Sequence, residues 1–588
     1  MKTVTWSVLT LRFLSAAATV VAPVALVGLT ASLVACDDEN DPKTWVKRLD
    51  DPAMRGKAIA RITQFYEDGM TKAGNKADDP AIKDLLDVIV DPMAKTYVTG
   101  GLDDKTRTDL MKFLAEVHDA RSQPALAKAL TSFESGKTDD EARVACESIN
   151  FMSKAGTKID PALVDALWGL FSKFQLSKTN SQRLYQAIHD AIIQVKDPSW
   201  GDKAVDKLKG TVPANPSVDV QKDQLMWWQL TSIQIISDLQ YTKAVKPLIV
   251  ALLTPTKTSA LGATIQFALL KMAKAAEPEL IKALNGSDPD YNTPACPPAP
   301  HAPDLVCWDD KTNIGVVARV LAQIGRPAGR DAILAALPNA DTGTARTELA
   351  QALTQMPNDP RNEPAYLDTY KRVPWDDTDA LLGINPRIAL AQSSANFYDP
   401  KLVDWLLKEM KAAPDYSGRA VQLEAEAKLM TPDKDDDVGV ALQALKKEMP
   451  ADGFKQVQQM WDVVESALTK CKTDTSCYLS ILDEPIPTVP PTAYYKQVKA
   501  TWMAVIYGGA NAAATKSAML SKVDKVKSTG ARIALVQAID ELSPTGDVAT
   551  ADALDKIIAA DAKSGDKDLM STDNTVAQVA WRLRVRGQ

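Results

Sequence analysis

A chain of 588 residues is long enough for several globular domains or one extended array. Hydrophobic residues at 45% supply ample core, and 6% aromatics with only 27 glycines fit a helix-rich chain better than an all-β one. The formal net charge of −7 argues against a nucleic-acid partner, because phosphate binding needs a basic surface.

Lys2 and Arg12 give the chain a positive start, and Phe13 to Ala35 is uncharged and almost wholly apolar, the pattern of an export signal. It ends Leu33-Val34-Ala35-Cys36 and is followed by Asp37-Asp38-Glu39-Asn40-Asp41. This resembles a bacterial lipoprotein signal over residues 1–35, with small residues before the cysteine. The resemblance implies that Cys36 becomes the mature N-terminus and carries the lipid, and that 36–42 is a tether. The alternatives are an ordinary signal peptide with a chance cysteine, or an uncleaved anchor, since about 23 apolar residues can span a bilayer. Each places the remainder outside the cytoplasm. Without Lys2 and Arg12, 66 bases face 75 acids, so the body repels anionic head groups and attachment rests on acyl chains. Asp37 resembles the inner-membrane retention signal of enteric bacteria, a rule that is not general, so inner and outer membrane both stay open.

The array begins at residue 43. Asp51-Pro52-Ala53-Met54-Arg55, then Ala58, Ile59 and Ile62, has an acid, an arginine and an apolar stripe at helical spacing. The run resembles the second helix of a HEAT repeat, in which the Asp caps the helix and the Arg is often paired with it. Similar pieces occur at Asp140-Glu141-Ala142-Arg143 with Cys146 and Ile149, and more loosely at Asp341, Ala345, Arg346, Leu349 and Leu353. A second pattern is apolar residues at offsets 0, +3 and +12: Leu114/Val117/Leu126, Ile236/Leu239/Leu248, Leu269/Met272/Ile281 and Leu321/Ile324/Ile333. Pro124, Pro247, Pro278 and Pro327 fall between the stripes and predict where each next helix begins. A fifth copy, with an insertion, runs from Ile539 and Leu542 through Pro544 to Leu554. Ile236 to Leu284 is the most regular part. The expected fold is all-α, an α-solenoid of irregular HEAT-like helix pairs over 43–483.

Residues 286–311 are too rich in Pro and Asp for regular structure, and 484–492 (EPIPTVPPT) reads as a proline-rich connector. Residues 493–588 continue as HEAT-like helices ending in a capping helix, Val576 to Arg586, whose bases suit the negative end of its dipole.

In an oxidising envelope the pairs Cys296/Cys307 and Cys471/Cys477 are read as disulfides. On one continuous helix Cys471 and Cys477 would face about 120° apart, so bonding them requires a loop between. The rival for the first pair is zinc on Cys296, His301, Asp304 and Cys307, a poor ligand spacing, and no metal or cofactor is expected. Cys146 reads as a buried thiol.

No HExxH, GxSxG or P-loop motif occurs, and His118, His189 and His301 are the only histidines. Asp433 to Gly439 looks like a calcium loop, but its glycine is one place late and Ala444 stands where Glu belongs; a solvated turn with helix-capping acids fits better. Of Trp227 and Trp228, one should pack and the other stay partly exposed. Tyr291, His301 and Trp308 lie on an irregular segment that a disulfide would pin, a candidate binding loop. The expected function is a lipid-anchored envelope scaffold, not an enzyme, that binds an envelope protein by the concave face and loops of the solenoid. Net acidity favours a basic or neutral partner. An enzyme of unrecognised class, a lyase or hydrolase in a solenoid groove, and a purely structural spacer are the alternatives.

Overall fold

The computed structural model describes residues 38–178, 182–209, 218–253, 259–291, 313–340, 342–375 and 385–588. Cys36 and the export signal lie outside them. The described residues are helices, turns and loops with no strand. They divide into two compact units, one ending at Leu114 and the other running from Ala115 to Gln588.

The first unit holds α1 (Pro42–Arg48), α2 (Arg55–Lys72), α3 (Pro80–Thr99) and most of α4 (Asp104–Glu116). Asp41 and Asp79 accept from backbone N–H groups in the first turns of α1 and α3, and Pro42 and Pro80 stand where a helix has no N–H to lose. Ala58, Ile59 and Ile62 are buried as the stripe predicts, together with Ile82, Ile89, Val90 and Met93. Asp51 caps its turn through the N–H of Ala53, but Arg55 is not its partner: Arg55 Nε donates to the carbonyl of Leu49 at 2.8 Å. Arg346 and Arg419 repeat this bond six residues back, to Ala340 at 2.8 Å and Ala413 at 3.2 Å. The arginine closes the loop between paired helices through a carbonyl that no helix satisfies. Arg143 does pair with Asp140, at 3.5 Å, and with Glu147.

The second unit continues with α5 (Gln123–Thr131), α6 (Asp139–Lys154), α7 (Pro161–Lys173), α8 (Gln182–Val195), α9 (Trp200–Lys209), α10 (Val218–Asp238), α11 (Val245–Leu253), α12 (Ser259–Lys271), α13 (Ala273–Leu284), α14 (Asn313–Ile324), α15 (Pro327–Ala336) and α16 (Gly343–Leu353). Then come α17 (Asn362–Arg372), α18 (Pro386–Ser393), α19 (Leu402–Ala412), α20 (Tyr416–Leu429), α21 (Asp435–Leu445), α22 (Ala451–Cys471), α23 (Thr475–Ile481), α24 (Tyr495–Gly508), α25 (Ala512–Leu520), α26 (Thr529–Glu541), α27 (Val548–Ser564), α28 (Lys567–Met570) and α29 (Asp573–Arg586). Helices stack in two rows, as in an α-solenoid. One row is α5, α7, α9, α11, α13 and α15; the other is α6, α8, α10, α12, α14, α16, α18, α20, α24, α26 and α29. The stripes between Ile236 and Leu284 bury Ile236, Leu248, Ile249, Ile265, Leu269 and Leu280.

One expectation changes. Pro124, Pro247 and Pro327 fall in first turns of α5, α11 and α15, but Pro278 lies inside α13, which starts five residues earlier at Ala273 after a break at Met272. The final helix makes contacts beyond its neighbours in sequence. α29 packs back onto α12 and α14 as well as α26 and α27, so the second row closes on itself. Arg326 donates to the carbonyl of Gln588 at 2.8 Å, and Lys271 sits over the Trp581 ring at 5.5 Å.

Candidate functional site

Between α5 and α7 the row leaves an open groove of about 470 Å³, within the few-hundred to ~1,000 Å³ range of clefts that receive ligands. Its cause is local. Leu163, Leu167 and Phe171 send one face of α7 into the core, while the other face carries Ala162, Ala166 and Gly169, too small to fill the space toward α5. Leu130, Phe133 and Leu170 complete an apolar floor. A Cβ placed on Gly169 meets nothing within 4 Å. At the rim, Asp165 is paired with Lys203 at 3.0 Å, whereas the exposed Lys173 and Lys178 have no acidic partner among the described residues. Ser135 Oγ donates to the Lys178 carbonyl at 2.8 Å and fixes the end of the groove.

A second groove, about 420 Å³, lies in the first unit between α1 and α3. Val46, Leu49 and Pro92 line it beside three bases, Lys47, Arg55 and Lys95, interleaved with two acids, Asp50 and Asp91.

Where the second row closes, a polar notch of about 50 Å³ is bounded by Tyr398, Gln537, Asp540, Glu541, Arg582 and Arg586. Buried Asp540 takes Arg582 at 2.8 Å and Arg586 at 2.7 Å, and Arg582 also donates to the Gln355 carbonyl at 2.8 Å. Arg584, on the opposite side of α29, pairs with Asp552 and Asp555. These bases of α29 are therefore bound to carboxylates on other elements, which fastens the helix down. Burial, and then the Asp540 charge, pushes the Glu541 carboxyl up to about 7. The notch has room for water-sized molecules only.

Of the residues singled out in the sequence, Cys296, His301, Asp304, Cys307 and Trp308 lie outside the described residues. Tyr291 is buried; its hydroxyl donates to Glu279 at 2.7 Å and Lys246 lies over its ring, so it packs inward and offers no surface to a ligand. Cys471 and Cys477 form a disulfide with Cα atoms 5.3 Å apart, made possible because α22 ends at Cys471 and a short turn precedes α23. Cys146 is a buried free thiol whose pKa burial pushes up. Trp227 packs against Phe171, Phe174 and Tyr185, while half-buried Trp228 donates to the Phe171 carbonyl at 2.9 Å. Asp435 and Asp436 stand in the first turn of α21, where acids favour the helix dipole. His118 stacks on Phe151 and His189 meets Asp190. No group of three metal-ligating side chains occurs among the described residues.

Sequence reading missed the groove and the notch. A small-residue face on one helix is visible in Ala162, Ala166 and Gly169, but what stands opposite it is not. The spacing of Arg582 and Arg586 signals a shared helix face, yet their partner Asp540 lies 42 and 46 positions away.

No protein-family model matches the chain, and no curated protein matches its sequence. Among solved structures it is similar to Kap121p, at 12% identity over 91% of this chain and 67% of that one, with a TM-score of 0.31. The karyopherin Kap121p bound to the SUMO protease Ulp1p gives 11% identity, 92% and 74% coverage and a TM-score of 0.32. A chain from work on a phosphorylation switch in the interaction between cadherin and β-catenin gives 13%, 92%, 98% and 0.26. The likeness is one of helical arrangement at a distance.

Proposed function

We propose that this chain is a lipid-anchored scaffold of a bacterial cell envelope that binds a protein partner through the grooves of its helix array. The observation that carries the reading is the open groove between α5 and α7, whose floor is apolar and whose rim holds two lysines, Lys173 and Lys178, with no acidic partner among the described residues. Stacked helix pairs present such grooves on a rigid frame, which suits recognition of another protein. No described helix is long and apolar enough to cross a membrane; in this reading attachment rests on Cys36 and its lipid. In this reading the chain is a binding scaffold without a catalytic role, in line with a sequence that carries no HExxH, GxSxG or P-loop motif.

Two experiments test the parts separately. Cys36→Ser should release the chain from membranes in fractionation and leave its signal unprocessed; continued attachment of a processed chain removes the lipoprotein claim. Replacing residues 43–588 by an unrelated lipidated solenoid of equal length should fail to rescue a deletion phenotype. Full rescue would favour a spacer.

A further inference from the structure

We infer that the groove between α5 and α7 takes a segment of the partner protein in which one or two large apolar residues are flanked by Asp or Glu. This rests on the scaffold reading and adds the chemistry of what is bound. Leu130, Ala166 and Leu170 form a floor that is already nearly buried, and half-buried Phe133 supplies the apolar surface that a bound apolar side chain would cover. The polarity of the flanks follows from the rim. Asp165 is already held by Lys203, and Lys173 and Lys178 stand exposed at one end with no carboxylate partner among the described residues. The local field of the groove is therefore positive, although the chain as a whole carries −7. Net charge governs long-range approach, but a segment lying in the groove meets these two lysines within a Debye length, so acidic flanks are favoured there. The α1–α3 groove differs in arrangement: Asp50 and Asp91 are interleaved with its three bases, and no base there is set apart at one end as Lys173 and Lys178 are.

Gly169 makes the inference testable without disturbing the fold. Its Cβ direction is open, so a large side chain there occupies the groove and removes a helix-interior glycine. The full chain, purified in detergent, is used to select binders from a displayed library of random 12-residue peptides. Selected peptides are then measured by fluorescence anisotropy on wild type, Gly169→Trp and Lys173→Glu/Lys178→Glu. The expected result is peptides with apolar residues between acids. Their affinity should fall at least about tenfold on Gly169→Trp, whose unfolding temperature stays at the wild-type value, and by about threefold to tenfold on the double lysine variant. Should Gly169→Trp fail to fold, the surface lysine variant alone decides. Peptides that bind wild type and both variants equally would overturn the groove while leaving the scaffold reading intact. Selection of base-flanked peptides, or of none, would also overturn it; the scaffold reading stands or falls separately, on crosslinking in cells.

Discussion

Glu426 is fully buried on α20, and neither carboxyl oxygen has a hydrogen-bond partner among the described residues. Burial pushes its pKa up to about 8 from the ordinary 4.5. Between those values the folded chain holds a proton that the unfolded chain releases, so stability falls as pH rises through the window, by up to about 1.4 kcal/mol per unit. Glu426→Gln should remove this slope and be more stable than wild type at pH 8 by urea denaturation; parallel pH profiles would contradict it. Arg532 is the opposite case. It is wholly buried and pairs with buried Asp561, while its remaining N–H groups reach Val523, Leu569 and Thr572. Arg532→Met leaves Asp561 buried without its partner and should cost about 3–5 kcal/mol, part of which Arg532→Met/Asp561→Leu recovers. A loss under 1 kcal/mol by denaturant titration would mean that the pair is solvated.

At the scale of elements, two helix glycines should behave differently. A Cβ on Gly201 would come within 2.6 Å of the Tyr241 ring, which is itself tethered to Asp202, so Gly201→Leu should destabilise by about 1–3 kcal/mol. Gly169→Leu should not. Reducing the bond between Cys471 and Cys477 frees a short loop and should cost about 2 kcal/mol on the chain-entropy account; unchanged denaturation under reductant would contradict it. Helix existence was legible because apolar period and proline position are local signals, and Ile236, Leu248, Leu269, Leu321 and Ile333 are all buried where the stripes put them. Asp-Pro at 41–42, 79–80 and 160–161, and Asn-Pro at 385–386, mark four further helix starts and were equally legible. Pro278 misled because a proline favours a helix start without dictating one: α13 begins at Ala273 after the break at Met272 and carries Pro278 in its interior without the backbone hydrogen bond that a proline cannot donate. Arg55 misled for a different reason: its guanidinium can satisfy either Asp51 or a loop carbonyl, and only the fold of the turn decides.

For the molecule as a whole, the unforeseen feature is closure of the second row. Nothing local in the α29 sequence shows that α12 and α14, some 250 or more positions away, will receive it. Removing residues 573–588 should therefore raise amide exchange in α12 and α14 as well as in α26 and α27. Protection unchanged in α12 and α14 would mean that the closure contributes nothing. The grooves depend on the same packing of helix on helix, and the claim that they serve a protein partner is the centre of the account. It is tested most directly by crosslinking in cells followed by mass spectrometry, with a lipidated unrelated protein as control. The account predicts one dominant envelope protein, enriched over the control. Recovery of only abundant neighbours, in the control's proportions, would contradict it.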